Sequence, residues 1–117
     1  MNQPKVVMST RKMGEKTSVI DIDGEVTAAA ENPLMDAYTD ATSAGARNVI
    51  LNFEKLDYMN SSGIGLLVTL LIRAQRQKQR LMAAGLSEHY QQIFDLTRLN
   101  EAITIYPTVE EAVAAGN

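Results

Sequence analysis

Apolar residues along the chain fall into short runs typical of strands and longer stretches with helical spacing. Residues 6–11 and 18–22 alternate between apolar and polar positions around a turn at Gly14-Glu15-Lys16, which predicts a β-hairpin. Residues 48–53 hold four apolar side chains among six, as expected of a strand covered on both faces. Two further strands are predicted at 80–84 and at 102–106.

Helical spacing predicts four helices between and after these strands. The first runs over 33–43, with Pro33 at its first position and Gly45 at its end. The third begins after Ser87, with His89 exposed in its first turn, and the fourth is short and begins with a capping box of Thr108 and Glu111. The positions expected on the buried side of the first helix are Leu34, Ala37, Tyr38 and Ala41. Those expected on or near the buried side of the third are Tyr90, Ile93, Phe94 and Leu96.

The second helix has the longest pattern, from Ser61 or Ser62 to about residue 79. Arg73 and Arg76 fit a partner contact and a plain solvated surface equally well, whereas Arg80 fits a solvated helix end better. The expected buried residues are Ile64, Leu67, Val68, Leu71 and Ile72, with Leu66 and Leu70 extending the apolar surface. A second stripe lies along one side of this helix; it begins with a hydroxyl side chain and ends in cationic ones. Its residues are Ser62, Gly65, Thr69, Arg73, Arg76 and Arg80.

The order of these elements predicts the fold class. A hairpin followed by successive β-α-β units gives an α/β fold with a mixed, mostly parallel sheet of about four to five strands. Right-handed crossovers that step in one direction would place the helices mainly on one face of the sheet. A length of 117 residues fits one domain, spanning 1–117.

Composition narrows the classes of function. The net charge of −3 gives no general attraction to nucleic acid, so no nucleic-acid partner is expected. The absence of cysteine excludes disulfides and thiolate chemistry, and a single histidine argues against a zinc site. Residues 1–4 carry no signal-peptide pattern, and the apolar run 64–72 is too short to span a bilayer. A cytoplasmic protein with no direct membrane insertion is therefore expected.

Candidate chemistry is concentrated in the stretch Asp57-Tyr58-Met59-Asn60-Ser61-Ser62-Gly63-Ile64-Gly65. It joins a buried strand to a helix, Asn60 or Ser61 can cap that helix, and a helix N-terminus tolerates an anion such as phosphate. The two serines have no general base visible in the sequence, and the chain has no glycine-rich phosphate loop, zinc helix motif or nucleophile elbow. The chain is therefore predicted to be a binding protein without a cofactor, not an enzyme.

Leu51-Asn52-Phe53, Leu56 and residues 58–65 together resemble the signature of the STAS-domain anti-sigma factor antagonists. That signature is an apolar strand, a short loop and Asp-Ser-Ser/Thr-Gly-hydrophobic-Gly at the start of a helix. The resemblance implies a STAS fold over about 19–113 and makes Ser61 the phosphoacceptor. Two positions depart from the pattern. Asn60 replaces the usual acid, and Thr27 replaces the aspartate that often follows Gly24-Glu25-Val26.

The resemblance also implies a function and partners. The unphosphorylated chain would bind an anti-sigma factor that is also a serine kinase of the histidine-kinase ATPase type. Phosphorylation of the chain would release it from the anti-sigma factor, and a metal-dependent serine phosphatase would restore the unphosphorylated chain. This cycle would regulate sigma-factor-dependent transcription. The implied partner-binding residues are Glu25, Thr27, Asn60, Ser61, Ser62, Gly63, Arg73 and Arg76. The alternative, kept open by Asn60, is a constitutive, non-phosphorylated STAS subunit of a lipid-transport complex or stress-signalling scaffold.

Overall fold

The computed structural model describes residues 5–116, so residues 1–4, on which the expectation of no signal peptide rests, lie outside it. Within residues 5–116, the strands are β1 (Val6–Lys12), β2 (Thr17–Val26), β3 (Asn48–Met59), β4 (Arg80–Ala84) and β5 (Thr104–Tyr106). The helices are α1 (Glu31–Ser43), α2 (Ser61–Arg76), α3 (Glu88–Leu96) and α4 (Val109–Gly116), with short 3-10 helices at Ala28–Ala30 and Leu99–Glu101. None of these helices has the length and apolar character needed to cross a lipid bilayer.

The five strands form one sheet in chain order. β1 is antiparallel to β2, and each of the following pairs is parallel. The predicted α/β fold with a mixed, mostly parallel sheet is therefore confirmed. The hairpin turn and the strand 80–84 lie where the sequence predicts them, whereas the last strand begins two residues later than predicted.

The helices divide between the two faces of the sheet. Neighbouring residues of a strand point to opposite faces, so Ile20 and Leu51 face α1, α2 and α3 in the larger core. Val19 and Ile50 face the other way and form a smaller core with α4. Helices thus lie mainly on one face, as predicted, and α4 covers part of the second face.

β3 is longer than predicted, because it continues through residues 54–59, which were expected to form a loop. Its pairing with β2 shifts register twice, and at each shift β3 contains one extra residue. These bulges turn Phe53, Leu56 and Met59, spaced by three, toward the larger core. The strand has no simple alternation there, so its sequence looked like a loop.

α2 ends at Arg76, three residues before the predicted end. Lys78 adopts a left-handed backbone conformation with φ of 57°, which stops the helix. Arg80 consequently belongs to β4 and not to the stripe of α2.

Burial on the helices agrees with prediction for α1 and differs in α2 and α3. All four predicted buried residues of α1 are buried, and Gly45 follows the helix with φ of 89°. In α2 the buried side consists of Gly63, Leu66, Leu67, Leu70 and Ala74, whereas Val68 and Ile72 are 40% and 46% exposed. Their assignment to the core was wrong, because the helix contacts the sheet through a narrower face. Leu96, expected on or near the buried side of α3, is 83% exposed at the end of that helix.

Candidate functional site

The turn from β3 into α2 begins with Asn60, which caps the helix. Its side-chain Oδ1 accepts a hydrogen bond from the Gly63 N–H at 3.0 Å. The backbone of Asn60 is extended, as a capping residue requires, and Ser61 is the first helical residue. Ser61 and Ser62 are both exposed. The cap therefore comes from Asn60, which leaves the two serine hydroxyls at the surface.

The end of β2 lies directly against this turn. The carbonyl oxygen of Val26 accepts a hydrogen bond from the Asn60 N–H at 3.3 Å. A Cβ atom added to Gly63 would lie only 2.1 Å from the same oxygen. Gly63 is therefore needed for a close approach of the chain's own β2, whereas a Cβ on Gly65 would meet nothing within 4 Å.

Glu25 and Thr27 lie beside the turn because they flank Val26. Glu25 pairs in register with Tyr58 of β3, whose side chain is 49% exposed. The Thr27 hydroxyl accepts a hydrogen bond from the Ala29 N–H at 3.3 Å and so caps the first 3-10 helix. The structure thus places Glu25 and Thr27 beside residues 60–63.

Arg73 and Arg76 lie at the other end of α2, about 18 and 22 Å along the helix axis from Ser61. Arg73 contacts α1: its guanidinium donates to the Thr39 hydroxyl at 3.0 Å and lies 5.0 Å from the Tyr38 ring centroid. Arg76 is exposed. The two arginines therefore differ, since Arg73 holds two helices together whereas Arg76 points into solvent.

The same end of α2 is fixed by Gln79, just beyond the helix. Its side chain accepts a hydrogen bond from the Tyr38 hydroxyl and donates one to the Ala46 carbonyl at 2.9 Å. Burial raises the pKa of Tyr38. The hydrogen bond with Thr42 and the charge of Arg73 lower this pKa, but by less than burial raises it.

A further set of exposed residues follows Ser61 along α2, and sequence reasoning missed it. We name it the outer stripe: Ser61, Gly65, Val68 and Ile72, which lie on one side of the helix by their spacing of four, three and four. Val68 and Ile72 had been assigned to the core because nearly every position in that half of α2 is apolar. Their spacing from Ser61 was the available signal.

The electrostatics of the first turn suit an added anion. Its capping residue is neutral and its first turn holds no acidic side chain, while the basic residues lie in the last turn. The partial positive charge of the helix N-terminus therefore has no carboxylate opposing it within the turn. Among the described residues, His, Asp and Glu side chains form no group of three or more that could hold a metal ion.

A charged network lies on the sheet face opposite α2, outside the site. Arg11 forms an ion pair with Asp21 at 2.7 Å, and Asn52 donates to the same carboxylate at 2.8 Å. Burial alone would raise the pKa of Asp21, but the hydrogen bonds from Arg11 and Asn52, together with the charges of Arg11 and Lys55, outweigh burial and lower that pKa.

The fold agrees with what comparison with known proteins shows. The STAS domain family matches residues 10–112, so this chain belongs to the STAS domain family. It is 25% identical over 91 residues to the anti-sigma-B factor antagonist of Staphylococcus aureus strain NCTC 8325 / PS 47, covering 78% of this chain and 84% of that protein.

Two solved structures share the fold. The anti-sigma factor antagonist from Mycobacterium paratuberculosis is 15% identical with a TM-score of 0.81, over 99% of this chain and 98% of that one. The Bacillus cell fate determinant SpoIIAA in its phosphorylated form is 23% identical with a TM-score of 0.74, over 95% of this chain and 100% of that one. The names of these proteins describe antagonists of anti-sigma factors and a cell fate determinant, and none describes an enzyme, in agreement with the prediction for this chain.

Proposed function

We propose that this chain is an anti-sigma factor antagonist whose binding is switched off by phosphorylation of Ser61. The observation that carries the proposal is the exposed Ser61 at the first position of α2, behind a cap supplied by Asn60. The antagonist relatives and the phosphorylated structure of SpoIIAA support it.

The turn can accept a phosphate without unfolding. The Ser61 hydroxyl is not the cap, so its modification leaves the hydrogen bond between Asn60 and Gly63 in place. A phosphate adds about −1.5 to −2 charges at a helix end that tolerates them. A partner packed on the turn would instead meet new charge and bulk, and a loss of about 2.7 kcal/mol weakens binding roughly a hundredfold.

The partner surface includes the turn and the outer stripe. Val68 and Ile72 continue from Ser61 along exposed helix, so a protein that covers the Ser61 hydroxyl also buries these two apolar side chains. The partner is an anti-sigma factor that is also a serine kinase of the histidine-kinase ATPase type. A metal-dependent serine phosphatase reverses the modification, and the protein acts in the cytoplasm.

Phosphosite mapping by mass spectrometry, after incubation with ATP and the candidate serine kinases of the same organism, tests the switch. Phosphate is expected on Ser61 of the unmodified chain and is expected to remain there in the Ser62→Ala control. Ser61→Ala should bind the kinase persistently, whereas Ser61→Asp should bind about a hundredfold more weakly while keeping its circular dichroism spectrum. Phosphate only on Ser62, or equal binding by the alanine and aspartate variants, would contradict the proposal.

Reversing the charge of each arginine in turn tests whether it contacts the partner or stabilises the fold. Arg76→Glu should weaken binding of the isolated partner and leave the thermal midpoint nearly unchanged, since Arg76 is exposed. Arg73→Glu should lower the midpoint as well, because it breaks the contacts with Tyr38 and Thr39. Partner affinity unaltered by Arg76→Glu would remove that residue from the partner surface.

A further inference from the structure

The last peptide of β3 has an unusual hydrogen-bond partner. The Met59 N–H donates to the side-chain hydroxyl of Tyr90, a residue of α3, at 2.8 Å, and the bond is buried. Met59 immediately precedes Asn60, the cap of α2. A side chain distant in sequence thus bonds the backbone at the entrance to the candidate phosphorylation turn.

The topology explains why this bond is needed. β4 pairs with β3 only as far as Asn52 and Ala84, so the later part of β3 has no strand on that side. The Asn60 N–H points to β2, where it bonds Val26, and successive N–H groups of an extended chain point in opposite directions. The Met59 N–H consequently points to the side that β4 has left. A buried N–H without a partner is strongly unfavourable, and the Tyr90 hydroxyl replaces the missing strand.

Tyr90 is itself held in a fixed place. Its side chain is 8% exposed, and α3 is anchored on β3 one turn further along by an edge contact between Phe94 and Phe53, with ring centroids 6.2 Å apart. The Met59 side chain lies directly against Gly63, because a Cβ on that glycine would come within 2.9 Å of the Met59 Cγ. Contacts therefore run without a gap from α3 through Met59 to the first turn of α2.

We propose that Tyr90 is a positioning residue for the Ser61 turn, and this inference rests on the proposed function. Its hydroxyl fixes the Met59 peptide and so sets the place and direction of the turn that presents Ser61 to the kinase. The hydroxyl takes no part in phosphoryl transfer. Its effect on phosphorylation comes from holding the acceptor in one geometry.

Tyr90→Phe tests this inference, with Tyr38→Phe as the matched control. Both substitutions keep a buried ring and remove one hydrogen-bonded hydroxyl, but Tyr38 bonds Gln79 at the opposite end of α2. Amide hydrogen exchange, followed residue by residue by NMR, should become about tenfold faster at residues 59, 63 and 64, whose N–H groups are hydrogen-bonded, in Tyr90→Phe than in the control. Urea unfolding of both variants checks that each remains folded.

Phosphorylation supplies the second readout. For the kinase that modifies the unaltered chain, kcat/KM on Ser61 should fall about tenfold in Tyr90→Phe and stay unchanged in Tyr38→Phe. Equal exchange at residues 59, 63 and 64 in the two variants, or an unchanged kcat/KM in Tyr90→Phe, would overturn the inference. If no kinase modifies the unaltered chain, the proposed function fails, and the exchange measurement still decides whether Tyr90 positions the turn.

Discussion

At its N-terminal end α2 is held mainly through backbone groups, whereas its C-terminal end is held by side chains. The Val26 carbonyl approaches Asn60 and Gly63 at the first end. At the second end, Arg73 and Gln79 connect α2 to α1 and to the chain that follows it. The difference leaves the side chains of Ser61 and Ser62 free at the first end, while Arg73 is already engaged in holding the fold together. The proposed modification of Ser61 therefore falls at the end of α2 whose side chains the fold does not use.

The largest loss of stability is expected from a substitution in the middle of α2, between the two ends, where the helix packs on the larger core. Leu67→Ala should lower the free energy of unfolding by about 2–5 kcal/mol, because Leu67 is fully buried. Val68→Ala should change it by less than about 0.5 kcal/mol, because Val68 is partly exposed. Urea unfolding gives both values, and similar losses for the two variants would show that the face of α2 assigned to the core is wrong.

Two glycines near the start of α2 differ in their surroundings: one lies against β2 and the other faces open space. Gly63→Ala should destabilise the protein by about 1–3 kcal/mol, since its Cβ would overlap the Val26 carbonyl. Gly65→Ala should stabilise it by about 0.5–1 kcal/mol, because its Cβ meets nothing and alanine favours the helix. Thermal unfolding measures both changes. A stabilising Gly63→Ala would contradict the tight contact between β2 and α2.

Removing the cap at Asn60 is expected to cost less stability, and the change is confined to the N-terminal end of α2. Asn60→Ala should lower the free energy of unfolding by about 1 kcal/mol, because it removes the hydrogen bond to the Gly63 N–H. Asn60→Asp should keep the stability, since aspartate caps equally well and its charge suits the helix N-terminus. Chemical denaturation distinguishes the two outcomes. Equal stability of the alanine variant and the unaltered chain would mean that the cap contributes nothing.

The smallest effect is a pH dependence that belongs to the C-terminal end. Folding raises the pKa of Tyr38, so its stabilising contribution is complete below the ordinary value near 10 and is lost as pH rises through the higher folded value. At pH 10 the loss is at most about 0.4 kcal/mol, because half of the unfolded tyrosines are ionised there. The free energy of unfolding should fall more between pH 8 and pH 10 in the unaltered chain than in Tyr38→Phe. Equal slopes would show that Tyr38 titrates normally.

Much of the fold could be predicted because each signal was local. The buried stripe of α1 and the strand 80–84 follow from spacing and from turn residues alone. The extension of β3 could not be predicted, because its two bulges replace alternation by a spacing of three in Phe53, Leu56 and Met59. That spacing indicates a strand only once the bulged pairing of β3 with β2 is known.

The site was predictable in part for the same reason. Residues 60–63 form one contiguous motif, and Glu25 and Thr27, which the family resemblance adds to the candidate site, lie beside it in the structure. The role of Arg73 in joining α2 to α1, and the bond between Tyr90 and Met59, depend on contacts across more than 30 residues. The outer stripe was hidden because an apolar helix half does not reveal which of its sides faces the sheet.

The separation of the cap from the proposed phosphoacceptor has an evolutionary consequence. Folding of the turn requires Asn60, Gly63 and the Val26 carbonyl, and it makes no comparable demand on the side chain of Ser61. Selection for stability therefore leaves that position open to change. A lineage could therefore lose the proposed switch by one substitution, or regain it by one, without first having to rebuild the domain.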